Sequence, residues 1–345
     1  MADIQQRVGP DASLAGLVSR LRGGAPGGSP GLLALLAALV LGFSALIPGF
    51  ASLGTLQSFM AQLPLLGLLA LAMMVPLVTG GLNLAIIATT NQAALLMAVI
   101  MRSQIAPDAS GAAVLGGVAL ALAAGLLLCL AIGLVTGALV AYTGVHPILV
   151  TLGTKSLIDG VSVYLTRGEA ISGLPKAFAA AGNAAVLGVP TAFLVLCAMV
   201  VLVGTVLKRT PFGISCMMIG SNMEAARFSA IDTRRVLVGT YTLSSLTCFV
   251  AALVSLAVFN SASSDYAQSY LLVTILAAVL GGIDPFGGFG TVGGLMLALA
   301  VLQVISSGFN QIGLSPYLTA AIWGLVLIGV MAVQTLRLHL RGAGR

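Results

Sequence analysis

Lys155 and Asp159 stand four residues apart inside an apolar stretch. On a helix that spacing puts both side chains on one face, where opposite charges can pair. A lone charge at the centre of a bilayer costs roughly 2.5–3.5 kcal/mol even on the mildest insertion scale. A charged pair there either lines a polar path or bridges helices structurally, and the sequence leaves both open. Thr89, Thr90, Asn91 and Gln92 form a second polar run inside another apolar stretch, with Asn83 just before it. Their hydroxyls and amides can bind a hydroxyl-rich ligand, and can equally hydrogen-bond a neighbouring helix. Gln303, Asn310 and Gln311 offer the same chemistry more sparsely.

Nothing else in the chain assembles into a reaction centre. The histidines, His146 and His339, are far apart, and Cys129, Cys197, Cys216 and Cys248 are isolated, with no paired CxxC spacing. The cysteines are expected to be small buried apolar residues. No GxxxxGK[ST] segment occurs, so ATP binding through a P-loop is not expected on this chain. The reading is therefore no catalytic residue, no metal site and no cofactor of its own.

The elements that must position these groups follow from composition. Of 345 residues 59% are hydrophobic and 7% charged, where a soluble domain carries about 25% charged residues. Such a chain has too little polar surface to face water on all sides, so the bilayer is its expected solvent. The net charge of +6 does not point to nucleic acid, because the basic residues lie between apolar runs and form no stripe.

Breaks at Gly, Pro, Asn and charges divide the chain into about ten candidate spans of roughly 20 residues each. They lie near 31–49, 57–79, 83–101, 112–142, 145–165, 187–207, 236–260, 269–283, 289–307 and 317–336. The expected architecture is an all-α, polytopic transmembrane helical bundle. The run at 112–142 is long for one span and is expected to tilt or to kink near Gly133 and Gly137. With both termini cytoplasmic, Arg7, Arg20, Arg22, Lys208, Arg209, Arg227, Arg234, Arg235, Arg337, Arg341 and Arg345 fall inside. Only Arg102, Arg167 and Lys176 fall outside. The domain reading is a cytoplasmic tail at 1–30, a membrane domain at 31–336 and a short tail at 337–345. The 43 glycines read mainly as packing devices, which close helix contacts in lipid require.

One loop, at 208–235, is long and polar. Pro211 punctuates its start, and Ser221 or Asn222 can cap a short helix containing Glu224, Ala225, Ala226 and Arg227. Glu224 in the first turn suits the helix dipole. A helix so short is marginal alone and gains from seating in a partner's groove. An ordinary solvated loop with a capped turn fits the residues as well.

At this loop the sequence resembles the permeases of ribose-type sugar ABC importers. Gly220, Asn222, Glu224, Ala225, Ala226, Arg227, Ser229 and Ile231 match that family's coupling helix. Ala230 stands where the family usually has Gly, a departure compatible with a helical turn. The resemblance extends over about 57–336. It includes Thr151-Leu152-Gly153-Thr154, the block from Ala277 to Gly294, and Gly308-Phe309-Asn310. Where the family usually shows Gly-Gly-Ile-Asp-Leu-Ser-Val-Gly, this chain has Gly80-Gly81-Leu82-Asn83-Leu84-Ala85-Ile86-Ile87, and Asp159 stands before Gly160 where the family often has Arg.

The resemblance implies the permease subunit of an importer in a bacterial inner membrane. It implies ATPase partner subunits that hold ATP and Mg, a second permease copy or paralogue, and a periplasmic sugar-binding protein. It also implies that Gly220, Asn222, Glu224, Ala225, Ala226, Arg227 and Ile231 dock the ATPase. Asn83, Thr90, Asn91, Gln92, Lys155, Asp159, Gln303 and Asn310 are the candidates for the solute path, chosen by polarity. The departures leave open which sugar is carried and whether the permease pair is identical. The competing reading is an ion-coupled secondary transporter using Asp159, the strongest mid-span acid. A membrane enzyme ranks last, for want of a nucleophile, base or metal cluster.

Overall fold

A computed structural model describes residues 29–105, 111–186, 188–315, 318–319, 321–325 and 328. The expected tails, with Arg7, Arg20, Arg22, Arg337, His339, Arg341 and Arg345, lie outside the described residues, as do most of 317–336 and the Lys176 side chain. The helices in chain order are α1 (Ser29–Leu46), α2 (Leu53–Val78), α3 (Ile86–Gln104), α4 (Ala112–Thr143), α5 (Pro147–Thr166), α6 (Lys176–Gly182), α7 (Thr191–Arg209), α8 (Pro211–Ser221), α9 (Met223–Phe228), α10 (Thr233–Phe259), α11 (Tyr270–Leu280) and α12 (Val292–Gln311). Four two-residue strands complete the described structure: β1 (Ile171–Ser172), β2 (Ala185–Val186), β3 (Val189–Pro190) and β4 (Ser261–Ala262).

Among the described residues seven helices are long and apolar enough to cross a membrane: α2, α3, α4, α5, α7, α10 and α12. Helix α1 is slightly shorter. Helix α11 has 11 residues, or about 16 Å of rise against a hydrocarbon core of about 30 Å. The protein is thus an all-α, polytopic membrane protein. Helix α4, which carries Gly133 and Gly137, is one continuous helix of 32 residues.

Those two glycines set the distance between α4 and α10. A Cβ on Gly133 would lie 2.7 Å from the Thr242 Cα, and one on Gly137 would lie 2.8 Å from the Val238 Cα. In lipid no hydrophobic force drives helices together, so dispersion contacts must hold them, and small residues let backbones approach. Helix α10 also packs on α2 and α3. Helix α2 is buried continuously from Pro64 to Val78 and forms the centre of the bundle. That buried stretch is apolar all round, as a segment enclosed on every side must be. Its internal Pro64 and Pro76 are tolerated because neighbouring helices surround them.

Helices α4, α5 and α7 are different. Only 22%, 17% and 22% of their apolar windows are buried within the chain, so their remaining faces meet lipid or another subunit.

The connections sort to two ends. At one end Gly288 N donates to Val78 O at 2.8 Å, and Thr151 Oγ1 donates to Leu82 O at 3.0 Å. The Arg234 guanidinium lies over the Tyr142 ring, 5.2 Å from its centroid. These contacts gather 79–85, 143–147, 210–232 and 281–291. At the other end β1 and β4 pair antiparallel, Ile171 against Ala262, and Asn183 Nδ2 donates to Ala257 O at 3.3 Å. Lys208, Arg209, Arg227, Arg234 and Arg235 therefore share the first end, with Arg102 and Arg167 at the second. The 260–269 connection does not lie on the surface as a solvated loop. Ser263 and Ser264 are buried, and Asn91, part-way along α3, donates to Ser264 O at 2.7 Å and Tyr266 O at 2.9 Å. Cys129, Cys216 and Cys248 are buried as expected, whereas Cys197 on α7 is exposed.

Candidate functional site: a capped helix pair and buried polar contacts

The loop after α7 folds as two helices in tandem. Thr210 and Pro211 start α8: the Thr210 hydroxyl accepts from Gly213 N at 3.3 Å, and Pro211 takes the first helical position, where no N–H is needed. Helix α8 was not foreseen, although this cap-proline pair announces it. Helix α9 follows with Asn222 as its N-cap, the side chain accepting from Ala225 N at 3.0 Å. The Glu224 carboxylate sits exposed in the first turn, where the helix dipole favours it. Ala226 is buried against Ile219, Leu237 and Ile231, and that contact fixes the helix to the bundle. Arg227 donates from Nε to Thr233 Oγ1 at 3.4 Å, and its guanidinium approaches Met223 Sδ at 3.7 Å. Gly220 ends α8 against the Val78 carbonyl and Gly288 N, with no room for a side chain.

Helix α9 ends in a way the sequence did not show. Ala230 N donates to Arg227 O at 3.0 Å, and Ile231 N donates to Ala226 O at 3.2 Å. This pair of bonds is the Schellman closure, with Ile231 packed back toward Ala226 as the motif requires. The residue between must be left-handed, and Ala230 has φ 61°. Ala230 is therefore not part of a helical turn. It occupies the one position here where glycine is preferred.

Between α8 and α9 lies an apolar cleft of about 330 Å³, walled by Ile214, Met217, Met218, Ala225, Ala226 and Ser229. Asp232 then caps α10, accepting from Arg235 N at 3.1 Å while its other oxygen pairs with Arg235 Nε at 2.9 Å.

The polar candidates fall into two groups. Around α3, Asn83 Nδ2 donates to Ser244 Oγ at 3.0 Å, and Ser244 in turn donates to Ala72 O at 2.7 Å. Thr90 Oγ1 donates to Ile86 O at 2.8 Å and lies 3.4 Å from Cys248 O. Asn91 holds the 260–269 connection, and Gln92 accepts from Ser162 on α5. These bonds join helices, so Asn83, Thr90 and Asn91 use their buried polar atoms within the bundle; Gln92 is only half-buried. On α5, Lys155 Nζ and Asp159 Oδ2 are 2.7 Å apart, their side chains 23% and 26% exposed. They lie on the helix face that includes Thr151, Ile158 and Ser162, beside α3. Gln303 and Asn310 belong elsewhere, on α12. Gln303 Nε2 donates to Gln62 Oε1 at 2.9 Å, and Asn310 is exposed at the helix end. The structure thus sets Asn83, Thr90 and Asn91 against α10 and the 260–269 connection and Gln92 against α5, while Lys155 and Asp159 pair with each other on α5; Gln303 and Asn310 lie apart on α12. Among the described residues no group of three or more His, Cys, Asp or Glu could hold a metal ion.

Comparison with known proteins places this architecture. The family model described as branched-chain amino acid transport system / permease component matches residues 55–331. The chain is 32% identical over 282 residues to the autoinducer 2 import system permease protein LsrD of Photorhabdus temperata, covering 79% of this chain and 81% of that protein. It is 30% identical over 314 residues to the LsrD proteins of Enterobacter sp. (strain 638) and Escherichia coli (strain K12), covering 89% of this chain and 93% and 92% of theirs. No solved structure matches.

Proposed function

Because the chain belongs to the branched-chain amino acid transport system / permease component family, we propose that it forms the solute path of an ATP-driven importer and couples that path to a separate ATPase. It is a multi-pass inner-membrane permease of the sugar-type ABC importers, a class of transport subunit and not an enzyme. The solute we infer is a small polyhydroxylated molecule, of the kind to which ribose-type sugars and autoinducer 2 belong. The importer would comprise this chain, a second permease copy or paralogue, an extracytoplasmic binding protein and ATPase subunits that hold ATP and Mg. The end of the bundle bearing α8 and α9 would face the cytoplasm. With ten spans, both termini would lie there too.

The observation that supports this most is α9. A six-residue helix with its own N-cap and Schellman closure projects between two spans, its Glu224 and Phe228 exposed. Among the described residues nothing calls for so defined a projection, whereas a docking partner does. Gly220 seats α8 against the bundle, Ala226 and Ile231 root α9, and Asn222, Glu224, Ala225 and Arg227 remain available to the partner. The Lys155–Asp159 pair supports the path. Part-exposed charges at the middle of an apolar helix belong beside water or another subunit, not lipid. An ion-coupled transporter would need Asp159 free to bind its ion, and Lys155 already occupies that carboxylate.

The test is gentle purification of the tagged chain with its encoded ATPase, comparing wild type with Glu224→Lys. Stoichiometric ATPase in the first and loss in the second is the expected result. A wild-type chain that purifies alone and moves solute in vesicles without ATP would refute the importer reading. Competition between a ribose-type sugar and autoinducer 2 for uptake then decides the solute.

A further inference from the structure

The connection between α11 and α12 stands beside α9, and the reading above makes no use of it. Its shape is set internally. Phe286 N donates to Asp284 Oδ1 at 2.9 Å, Gly287 N donates to Asp284 O at 3.0 Å, and Asp284 N donates to Phe289 O at 3.0 Å. The loop is then pinned to the bundle by Gly288 N on Val78 O. Gly287 and Gly288 have φ 95° and 89°, and their backbones touch the end of α8. A Cβ on Gly287 would lie 2.9 Å from the Gly220 Cα, and one on Gly288 3.0 Å from the Ser221 Cα. Gly220 and Ser221 are the residues immediately before the Asn222 cap, so this loop and α9 stand on one foundation.

From that foundation the loop presents aromatic rings outward. Phe286 is 84% exposed and Phe289 64%, while Phe228 at the end of α9 is 92% exposed. A loop tied by this many backbone bonds cannot fold its rings underneath itself. The exposed charges at this end of the bundle are of both signs, Glu224, Asp232 and Asp284 with Lys208, Arg209, Arg227, Arg234 and Arg235. Anionic lipid favours uniformly basic surroundings, whereas aromatic anchors inside a rim of mixed charge are the composition of a protein interface.

We propose that the 284–289 loop is a second contact for the cytoplasmic ATPase subunit, beside α9, with Phe286 and Phe289 as its apolar anchors. This rests on the ATPase-coupled reading above and extends it. One docking helix fixes a point of contact. A second, rigidly joined point fixes the ATPase's orientation, so rotation of the ATPase is delivered to α8, α11 and the end of α2 together.

The test uses the assembled importer in lipid nanodiscs, with a benzoyl-phenylalanine photo-crosslinker placed at 286, 289 or 224. Adducts to the ATPase from all three positions are expected. Adducts from 224 but not from 286 or 289, or lipid adducts at the latter two, overturn the second contact and leave the docking-helix reading intact. No adduct from 224 sinks that reading, and this inference with it. As a second measurement, Phe286→Ala with Phe289→Ala should lower solute-stimulated ATP hydrolysis roughly tenfold, as removal of interface anchors does, at unchanged amounts of folded chain. Unchanged hydrolysis overturns the proposal.

Discussion

Replacing Ala230 by glycine should tighten α9. Ala230 is held at φ 61° by the bonds from its own N–H to Arg227 O and from Ile231 N to Ala226 O. A left-handed L-residue costs roughly 1–2 kcal/mol through crowding of Cβ on its own carbonyl. Glycine removes that cost but gives back about 0.4–1 kcal/mol in unfolded-state freedom. The net expectation for Ala230→Gly is about 0.5–1 kcal/mol in favour of the closed helix end, or roughly a two- to fivefold change in the local opening equilibrium. Hydrogen exchange of the peptide covering 222–232, measured by mass spectrometry on the detergent-solubilised chain, reads this directly. The amides of Ala230 and Ile231 should slow by that factor. Ala230→Val should speed them, because a β-branched residue is a genuine outlier at positive φ. Unchanged exchange in Ala230→Gly together with unchanged exchange in Ala230→Val would refute the left-handed closure.

Three further outcomes follow from the same geometry. Gly137→Leu should force α4 away from α10 and reduce the monodisperse fraction on size exclusion, overpacking costing about 1–3 kcal/mol. Gly153→Leu, on an open face with nothing within 4 Å, should leave that fraction unchanged. Lys155→Met should lower membrane insertion by leaving the Asp159 carboxylate unpaired, at roughly 2.5–3.5 kcal/mol, and Lys155→Met with Asp159→Leu should restore insertion. If the pair lines the path, the restored double variant should still import poorly. Asn222→Ala should cost α9 about 1 kcal/mol by removing its cap, read as faster exchange of the Ala225 amide and weaker recovery of the ATPase.

The sequence exposed most of the bundle because each span is a continuous apolar run, and bilayer thickness fixes its length. The N-cap was legible to within one residue, Ser221 or Asn222, since a short polar side chain before helix formers suits that position. What stayed hidden depends on tertiary placement. Ala230 carries no mark of a left-handed turn, because alanine is at home in a helix. Gly133 and Gly137 read as a possible kink because a glycine pair gives the same signal whether it bends a helix or admits a neighbour. Asn83, Thr90 and Asn91 read equally as ligand-binding or helix-joining, since a polar side chain shows its partner only once a second helix supplies it. The folding back of the 260–269 connection is likewise invisible in its serines, which look solvated until the Asn91 bonds are seen. Helix α8 was within reach: Thr210-Pro211 announces it, although the residues after Pro211 read as part of one polar loop at 208–235.

The seam between α4 and α10 has a mechanical consequence. Rods that meet at bare backbone, Gly133 on Thr242 and Gly137 on Val238, cannot slide past each other without collision, so their register is locked. They are expected to move as one strut. Helix α5 is buried only at Thr151, Ile158 and Ser162 and has no such interlock. If the bundle works as an importer, α5 is expected to shift more readily than the α4–α10 pair.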